Sequence, residues 1–175
     1  RNTRRKDCCM DRLTSCCFTG HRNLTRDEMV RAAGEIGKLL PRLIDRGITD
    51  FYAGGALGFD YAASVTVINS KKLYPELTLN LALPCRGHTK NWSEADRLMF
   101  GRMAARADSV VYVSDGYAPG CMQKRNRYMA DRSSVCVCWL SSETGGTYYT
   151  VRYAGRMGLE IINLYSGCEQ IGFGF

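Results

Sequence analysis

The chain has 175 residues, of which 45% are hydrophobic and 23% are charged, and this composition suits one globular domain with a sizeable core. Its apolar runs have the length of strands and fall short of the roughly 20 residues of a membrane helix, so no membrane partner is expected. The formal charge of +7 is scattered outside the first six residues and favours an anionic ligand as readily as a polynucleotide.

Strand and helix patterns alternate along the chain. Residues 1–11 are predicted to form a disordered basic tail, residues 12–166 a single domain and residues 167–175 a C-terminal tail. Six apolar strands are predicted at 15–19, 49–53, 79–83, 109–113, 135–140 and 160–164. Near-continuous apolar strands are typical of a sheet covered on both faces, so the fold class is α/β, a doubly wound, mostly parallel six-stranded sheet.

The first predicted helix, at 24–46, has the clearest local signals. Thr25 followed by Glu28 forms a capping-box pattern, and Gly47 ends the helix. Pro41 is expected to kink this helix or to split it in two. Further helices are predicted from the second glycine segment to about residue 72, and at 93–107, 122–131 and up to 157.

The nine cysteines fit neither a disulfide framework nor a zinc site. They lack CxxC or CxxH spacing, so no metal ligands are predicted. Several stand inside apolar strands, where cysteine acts as a small buried hydrophobic residue. Free thiols and an N-terminus, RNTRRKD, without the apolar core of a signal peptide predict a cytoplasmic location.

Three glycine segments, TGHR, GGALGFD and TGGT, each follow directly on a predicted strand. Such a turn lets backbone approach a ligand, and the next helix directs its free N–H groups at an anion. If the strands are parallel, all three segments lie at their carboxyl ends and can share one site. The candidate ligand-binding residues in them are Thr19, Gly20, His21, Arg22, Gly54, Gly55, Ala56, Gly58, Thr144, Gly145, Gly146 and Thr147.

Individual polar side chains extend this candidate site. His21 and Arg22 could donate to phosphate oxygens, the arginine in bidentate fashion. Asp60 either bonds a ribose hydroxyl or caps its helix. Arg125 and Asn126 begin a helix near the end of the fourth strand, and Ser114 follows that strand directly.

Trp92 and the spacing of GGALGFD leave alternatives open. Trp92 could stack on a base, although a tryptophan in this position is more often part of a core or an interface. GGALGFD lacks the GxGxxG spacing of a dinucleotide oxidoreductase, which counts against hydride transfer.

In combination, these motifs resemble a known superfamily. GGALGFDYAAS is similar to the glycine motif of DNA-processing protein A, and MQKRNRYMADRSSVCVCWLSSETGGT is similar to the RK and PGGxGT stretch of the LOG family, once called lysine decarboxylase-like. Together with CCFTGHR at 16–22 and KRNRYM at 124–129, they resemble the YpsA-like branch of the SLOG superfamily. The resemblance implies a Rossmann-like fold and a nucleotide or nucleotide-derived ligand.

The resemblance to the LOG family does not extend to all the residues that its reaction requires. LOG enzymes cleave nucleoside monophosphates with an arginine of the RK pair and a glutamate just after GT. Lys124 and Arg125 match the RK pair, but Tyr148, Tyr149 and Thr150 stand where the glutamate should be. An oxocarbenium-like transition state needs a neighbouring carboxylate, which these residues do not supply.

The leading hypothesis is therefore a cytoplasmic sensor or regulatory module that binds a phosphate-bearing, nucleotide-derived ligand. One alternative is a nucleotide N-glycosidase in which Asp60 or Glu143 replaces the missing glutamate. A second is single-stranded DNA binding, which the basic charge and the DNA-processing likeness suggest. Related families form dimers, so a homodimer stays open, and no cofactor is identified.

Overall fold

Strands and helices alternate along the chain as predicted. The computed structural model describes residues 12–165 and the strand residues 169–170; the predicted N-terminal tail, 1–11, lies outside the described residues. The helices are α1 (Arg26–Asp45), α2 (Phe59–Ser70), α3 (Glu94–Ala104), α4 (Cys121–Asp131) and α5 (Gly145–Arg156). The strands are β1 (Ser15–Gly20), β2 (Asp50–Ala53), β3 (Thr78–Leu83), β4 (Ser109–Tyr112), β5 (Val135–Trp139), β6 (Glu160–Asn163) and β7 (Glu169–Gln170).

The sheet has the order β4-β3-β2-β1-β5-β6-β7. The pairings from β4 through β6 are all parallel, which confirms the predicted six-stranded parallel sheet. β7 adds a two-residue antiparallel edge within the segment predicted as a C-terminal tail, and the rest of 167–175 lies outside the described residues. The strand order reverses at β1, between β2 and β5, and in open α/β sheets ligands bind near such a reversal.

The sheet has a hydrophobic layer on each face. Phe18, Phe51 and Val137 face one layer, which α1, α2 and α3 cover. Cys17 and Cys136, one position along their strands, face the other layer, which α4 and α5 cover. Because side chains alternate across a strand, apolar residues at consecutive positions supply both layers. The doubly wound arrangement is thereby confirmed.

Helix α1 begins with the predicted capping box. Thr25 Oγ1 accepts a hydrogen bond from Glu28 N at 3.2 Å, and Thr25 N donates to Glu28 Oε2 at 2.8 Å. Pro41 lies inside an unbroken helix, so the predicted split is wrong. Leu40 and Leu43 on either side of the proline are buried in the core, and this packing holds the helix together across the missing N–H.

Strand β4 departs from the expectation that every strand is covered on both sides. Val110, Val111 and Tyr112 expose 41%, 38% and 40% of their surface. The reason is position, because among the described strands β4 is at the edge of the sheet and pairs with β3 alone. An apolar run therefore did not distinguish an edge strand from a central one.

The cysteines within residues 12–165 follow the predicted role of small buried hydrophobic residues. All six are buried free thiols: Cys16, Cys17, Cys85, Cys121, Cys136 and Cys138. Burial raises the pKa of Cys138 to about 12, so this thiol stays protonated and unreactive. Over the described residues, none of the helices has both the length and the apolar content required to cross a bilayer.

Candidate functional site

A cavity of about 400 Å³ opens at the carboxyl edge of the sheet. The loops after β1, β2 and β3 and the first turns of α4 and α5 enclose it. Its volume lies within the range typical of small-molecule sites. The candidate residues that line it are Thr19, Gly20, His21, Arg22, Gly54, Gly55, Ala56, Asp60, Arg125, Asn126, Gly146 and Thr147.

The loop after β1 forms one wall of the cavity. The His21 Nε2 atom accepts a hydrogen bond from the backbone N–H of Ser141 at 3.1 Å, so the imidazole ties this loop to the segment after β5. The Arg22 guanidinium lies 5.1 Å from the centre of the Trp92 ring and is exposed. Of these two side chains predicted to contact phosphate, Arg22 is the one whose hydrogen-bond donors are not engaged in a hydrogen bond to another described residue.

At two positions in the loop after β2, neighbouring atoms lie so close to the backbone that only glycine fits. A Cβ on Gly54 would lie 2.5 Å from Arg125 Cζ and 2.7 Å from Asp60 Oδ2. Gly58 has φ +74°, and a Cβ there would lie 2.6 Å from the carbonyl oxygen of His21. Gly58 therefore packs beneath the first loop and does not line the cavity, although it belongs to the predicted set.

Asp60 and Arg125 form a buried pair at the floor of the cavity. Their side chains are 6% and 10% exposed, and Arg125 Nη1 lies 3.9 Å from Asp60 Oδ2. The same carboxylate oxygen accepts hydrogen bonds from Gly54 N at 3.1 Å and from Ala56 N at 3.4 Å. Arg125 Nη1 also donates to the carbonyl oxygen of Gly54. Asp60 thus organises the glycine turn, because its hydrogen bonds go to Gly54 and Ala56 in the turn and not to the first N–H groups of α2, whose N-cap residue is Gly58.

Desolvation dominates the electrostatics of this pair. Burial lowers the pKa of the Arg125 guanidinium, and the opposing attraction of Asp60 only partly compensates. Burial likewise raises the pKa of the Asp60 carboxyl group against the attraction of Arg125 and the hydrogen bonds of the turn. Both shifts disfavour the charged forms, so the fold holds this pair in place at a cost in free energy.

One donor of Arg125 is left without a partner. Its Nε atom is buried and has no hydrogen bond. A buried guanidinium N–H without an acceptor costs more free energy than one that donates a hydrogen bond. In a side chain that lines a cavity, such a donor is suited to an anionic oxygen that enters from solvent.

An aromatic cluster forms another part of the lining, of which only Trp92 was considered from the sequence. The rings of His88, Trp92 and Phe100 meet edge to face, with centroids 5.1 to 5.8 Å apart. Trp92 and His88 line the cavity, and the His88 ring lies against the backbone of Cys85 and Gly55. Burial lowers the pKa of His88, which favours neutral imidazole.

The start of α5 supplies part of the predicted third cradle. Gly146 and Thr147 line the cavity, while Thr144 and Gly145 lie outside it. Asn126 Nδ2 donates to Thr150 Oγ1 at 2.7 Å, which links α4 with α5. Ser114 lies outside the cavity as well, and its Oγ accepts a hydrogen bond from Lys124 Nζ at 3.5 Å.

The sequence reasoning missed several lining residues, namely Phe18, Pro84, His88, Met122 and Met129. The loop after β3 carried the clearest available signal, because it too follows the carboxyl end of a parallel strand. Glu143, the alternative catalytic carboxylate, is exposed and does not line the cavity. Among the described lining residues Asp60 is therefore the sole carboxylate, and it is already engaged by the turn.

Comparison with solved structures identifies the fold. The chain is similar to DNA processing protein A from Helicobacter pylori, with a TM-score of 0.62 and 16% identity over 89% of this chain and 66% of that one. It is similar to DNA processing protein A from Streptococcus pneumoniae, with a TM-score of 0.63 and 15% identity over 86% of this chain and 50% of that one. The chain thus spans between half and two thirds of these structures, and the likeness concerns the fold.

Sequence comparison identifies the family. The chain is 33% identical to an uncharacterised SPbeta prophage-derived protein, YoqJ, of Bacillus subtilis over 61% of this chain and 69% of that protein. It is 27% identical to a UPF0398 protein of Staphylococcus haemolyticus over 78% of this chain and 72% of that protein. The family model YpsA, described as the YspA SLOG family, matches residues 19–160. The chain therefore belongs to the YpsA family of SLOG proteins.

Proposed function

We propose that this protein binds a phosphate-bearing nucleotide or nucleotide-derived ligand in the cavity at the carboxyl edge of the sheet, and acts as a sensor or regulatory module. The observation that carries the proposal is the buried guanidinium of Arg125, a side chain that lines the cavity and whose Nε donor has no hydrogen-bond partner among the described residues. A protein that holds a desolvated cation against a cavity is prepared for an anion that restores the missing hydrogen bond.

The lining offers groups for both parts of a nucleotide. Arg125, the glycine turn after β2 and the start of α5 supply donors that suit phosphate oxygens. Trp92 supplies an aromatic surface on which a base can stack.

A nucleotide N-glycosidase is the second candidate for this cavity. It would need a carboxylate free to stabilise an oxocarbenium-like centre. Asp60 is held by Gly54 N, Ala56 N and Arg125, and Glu143 does not line the cavity. These contacts support binding over hydrolysis. The structure of the H. pylori neighbour concerns the binding of single-stranded DNA. A DNA strand would need an open groove, and this cavity is small.

The test is a thermal-shift titration with AMP and ADP-ribose. Both ligands should raise Tm in the native protein, because a ligand that binds only the folded state stabilises it. In Gly54→Ala the added methyl group displaces the Arg125 guanidinium, so the shift should disappear. Gly37→Ala is the matched control, since a Cβ there meets no atom within 4 Å, and its shift should equal that of the native protein.

Chromatography of the same samples separates binding from hydrolysis. A stable ligand peak with a Tm shift supports the binding proposal. Sustained release of free base that is lost in Arg125→Ala would replace it with the glycosidase. A flat Tm across a broad nucleotide panel would contradict both.

A further inference from the structure

Helices α4 and α5 carry a second surface, outside the cavity, on the same layer of the fold. Two grooves of about 810 and 570 Å³ run along it. Its cations are Lys124, Arg127, Arg132, Arg152 and Arg156. Its aromatic residues are Tyr128, Tyr148, Tyr149 and Tyr153. This set is called the Arg–Tyr surface below.

Guanidinium groups and phenol rings are paired across this surface. Arg127 lies 5.7 Å from the ring centre of Tyr149 and 5.5 Å from that of Tyr153, and its Nε donates to the Tyr149 hydroxyl group at 2.9 Å. Arg132 lies 3.6 Å from the ring centre of Tyr128. These contacts hold flat cationic and aromatic groups in fixed positions, which lowers the entropy that a partner must remove on binding.

The charge of the surface is strongly unbalanced. Five cations line the two grooves, against one carboxylate, Asp131. That carboxylate accepts a hydrogen bond from the Tyr153 hydroxyl group at 2.7 Å. Arg127, Arg132 and Arg156 are exposed, so their charges face solvent. An extended polyanion is the partner that matches such a row of cations.

We infer that the Arg–Tyr surface binds single-stranded nucleic acid. A single strand offers both groups that this surface can use, because its phosphates meet the cations and its unpaired bases stack on the tyrosine rings and guanidinium planes. A duplex offers the phosphates but keeps its base faces hidden.

The same observations argue against a second copy of the chain as the occupant. A two-fold dimer places one patch against the identical patch of its partner. On this surface that arrangement would set five cations against five cations with one carboxylate on each side. None of the five cations and four tyrosines of this surface lines the cavity, and the larger groove adjoins the cavity at Met122, Asn126 and Gly146, which line both.

The experiment is fluorescence anisotropy with a labelled oligo(dT) of about 20 nucleotides over a KCl series. Binding should weaken steeply with salt, with a slope of log K against log [KCl] between about −2 and −3.5 for three to five phosphates. A duplex of the same length should bind more weakly. Equal affinity for single strand and duplex would contradict the stacking part of the inference, and a slope near zero would contradict all of it.

Paired variants locate the binding. Arg127→Glu with Arg156→Glu should weaken oligo(dT) binding at least about tenfold, while Arg42→Glu with Arg102→Glu, an equal charge change on exposed residues of the opposite helices, should have a much smaller effect. Tyr149→Leu should cost about tenfold through lost stacking. Tyr112→Leu is its control, because Tyr112 lies on the surface outside the grooves and likewise stacks with an arginine, Arg86, at 4.6 Å.

Two results would overturn the assignment. Equal losses in both charge-reversal pairs would mean that net charge alone attracts the strand. A concentration-dependent dimer that light scattering detects in the native protein and that disappears in the Arg127 and Arg156 variant would assign the surface to a second copy.

Discussion

At the residue scale, Arg125 and Asp60 form the buried charged pair at the floor of the cavity. Arg125 is among the most buried charged residues of the described chain, and its partner carboxylate lies 3.9 Å away. For both groups burial outweighs mutual attraction in its effect on the pKa. Because the pair adds little to the stability of the fold, we explain its presence by the fixed hydrogen-bond donors that Arg125 holds beside the cavity.

The first prediction concerns the coupling of this pair. Arg125→Met should lower the free energy of unfolding by about 3 kcal/mol, because Asp60 is left buried without its cation. The double variant Asp60→Asn with Arg125→Met should be less destabilised than the sum of the two single variants. Urea denaturation of all four proteins measures the difference.

The control for that cycle is the exposed pair Glu35 and Lys38 on α1, whose lysine is 75% exposed and whose charges lie 2.8 Å apart. A surface pair of this kind should show a coupling below about 0.5 kcal/mol. Additive effects at Asp60 and Arg125 would mean that the two side chains do not act as a pair.

At the element scale, local signals and tertiary packing act on different parts of the same helix. The start of α1 is determined by Thr25 and Glu28, which satisfy each other's hydrogen bonds within one turn. The continuity of α1 through Pro41 depends on Leu40 and Leu43, which pack against distant strands. The predicted capping box is accordingly confirmed, and the predicted split at Pro41 is wrong.

The second prediction tests that cap. Thr25→Ala should lower the free energy of unfolding by about 1 kcal/mol at neutral pH, because the Glu28 amide loses its acceptor. Thermal denaturation of the native protein and the variant measures this loss of stability.

The pH dependence of the cap gives a sharper signature. Hydrogen bonds from Thr25 lower the pKa of Glu28 below its ordinary value of 4.5. A carboxyl group with a lowered pKa stabilises the fold above its unfolded pKa, and this contribution is lost as the pH falls through the folded value. The Tm difference between the native protein and Glu28→Gln should therefore shrink below pH 4.5. A difference that is constant with pH would contradict the capping role of the charge.

At the scale of the whole molecule, strand order controls both stability and the position of the cavity. Central β1 lies between β2 and β5, while β4 pairs with β3 alone among the described strands. The same strand order brings the loops after β1 and β2 close to α4 and α5, and the cavity opens between them. Stability should consequently fall from the centre of the sheet toward β4.

The third prediction is a gradient of amide protection across the sheet. Amide protons of β1 and β5 should exchange only through global unfolding, whereas those of β4 should exchange at least about 100-fold faster through local opening. Hydrogen exchange followed by mass spectrometry or NMR measures this gradient. Equal protection in β1 and β4 would indicate that β4 is covered in solution by a partner.

The sequence by itself determined the alternation of strands and helices, the capping box and the glycine turns, because each depends on residues within a few positions of one another. It also indicated most of the cavity lining, since parallel strands place their carboxyl ends on one edge. Only the tertiary structure decided the edge position of β4, the meeting of Asp60 with Arg125, and the separation of Ser114 and Thr144 from the cavity. Those features depend on strand order and on contacts between distant residues, which local patterns of apolar and glycine residues do not encode.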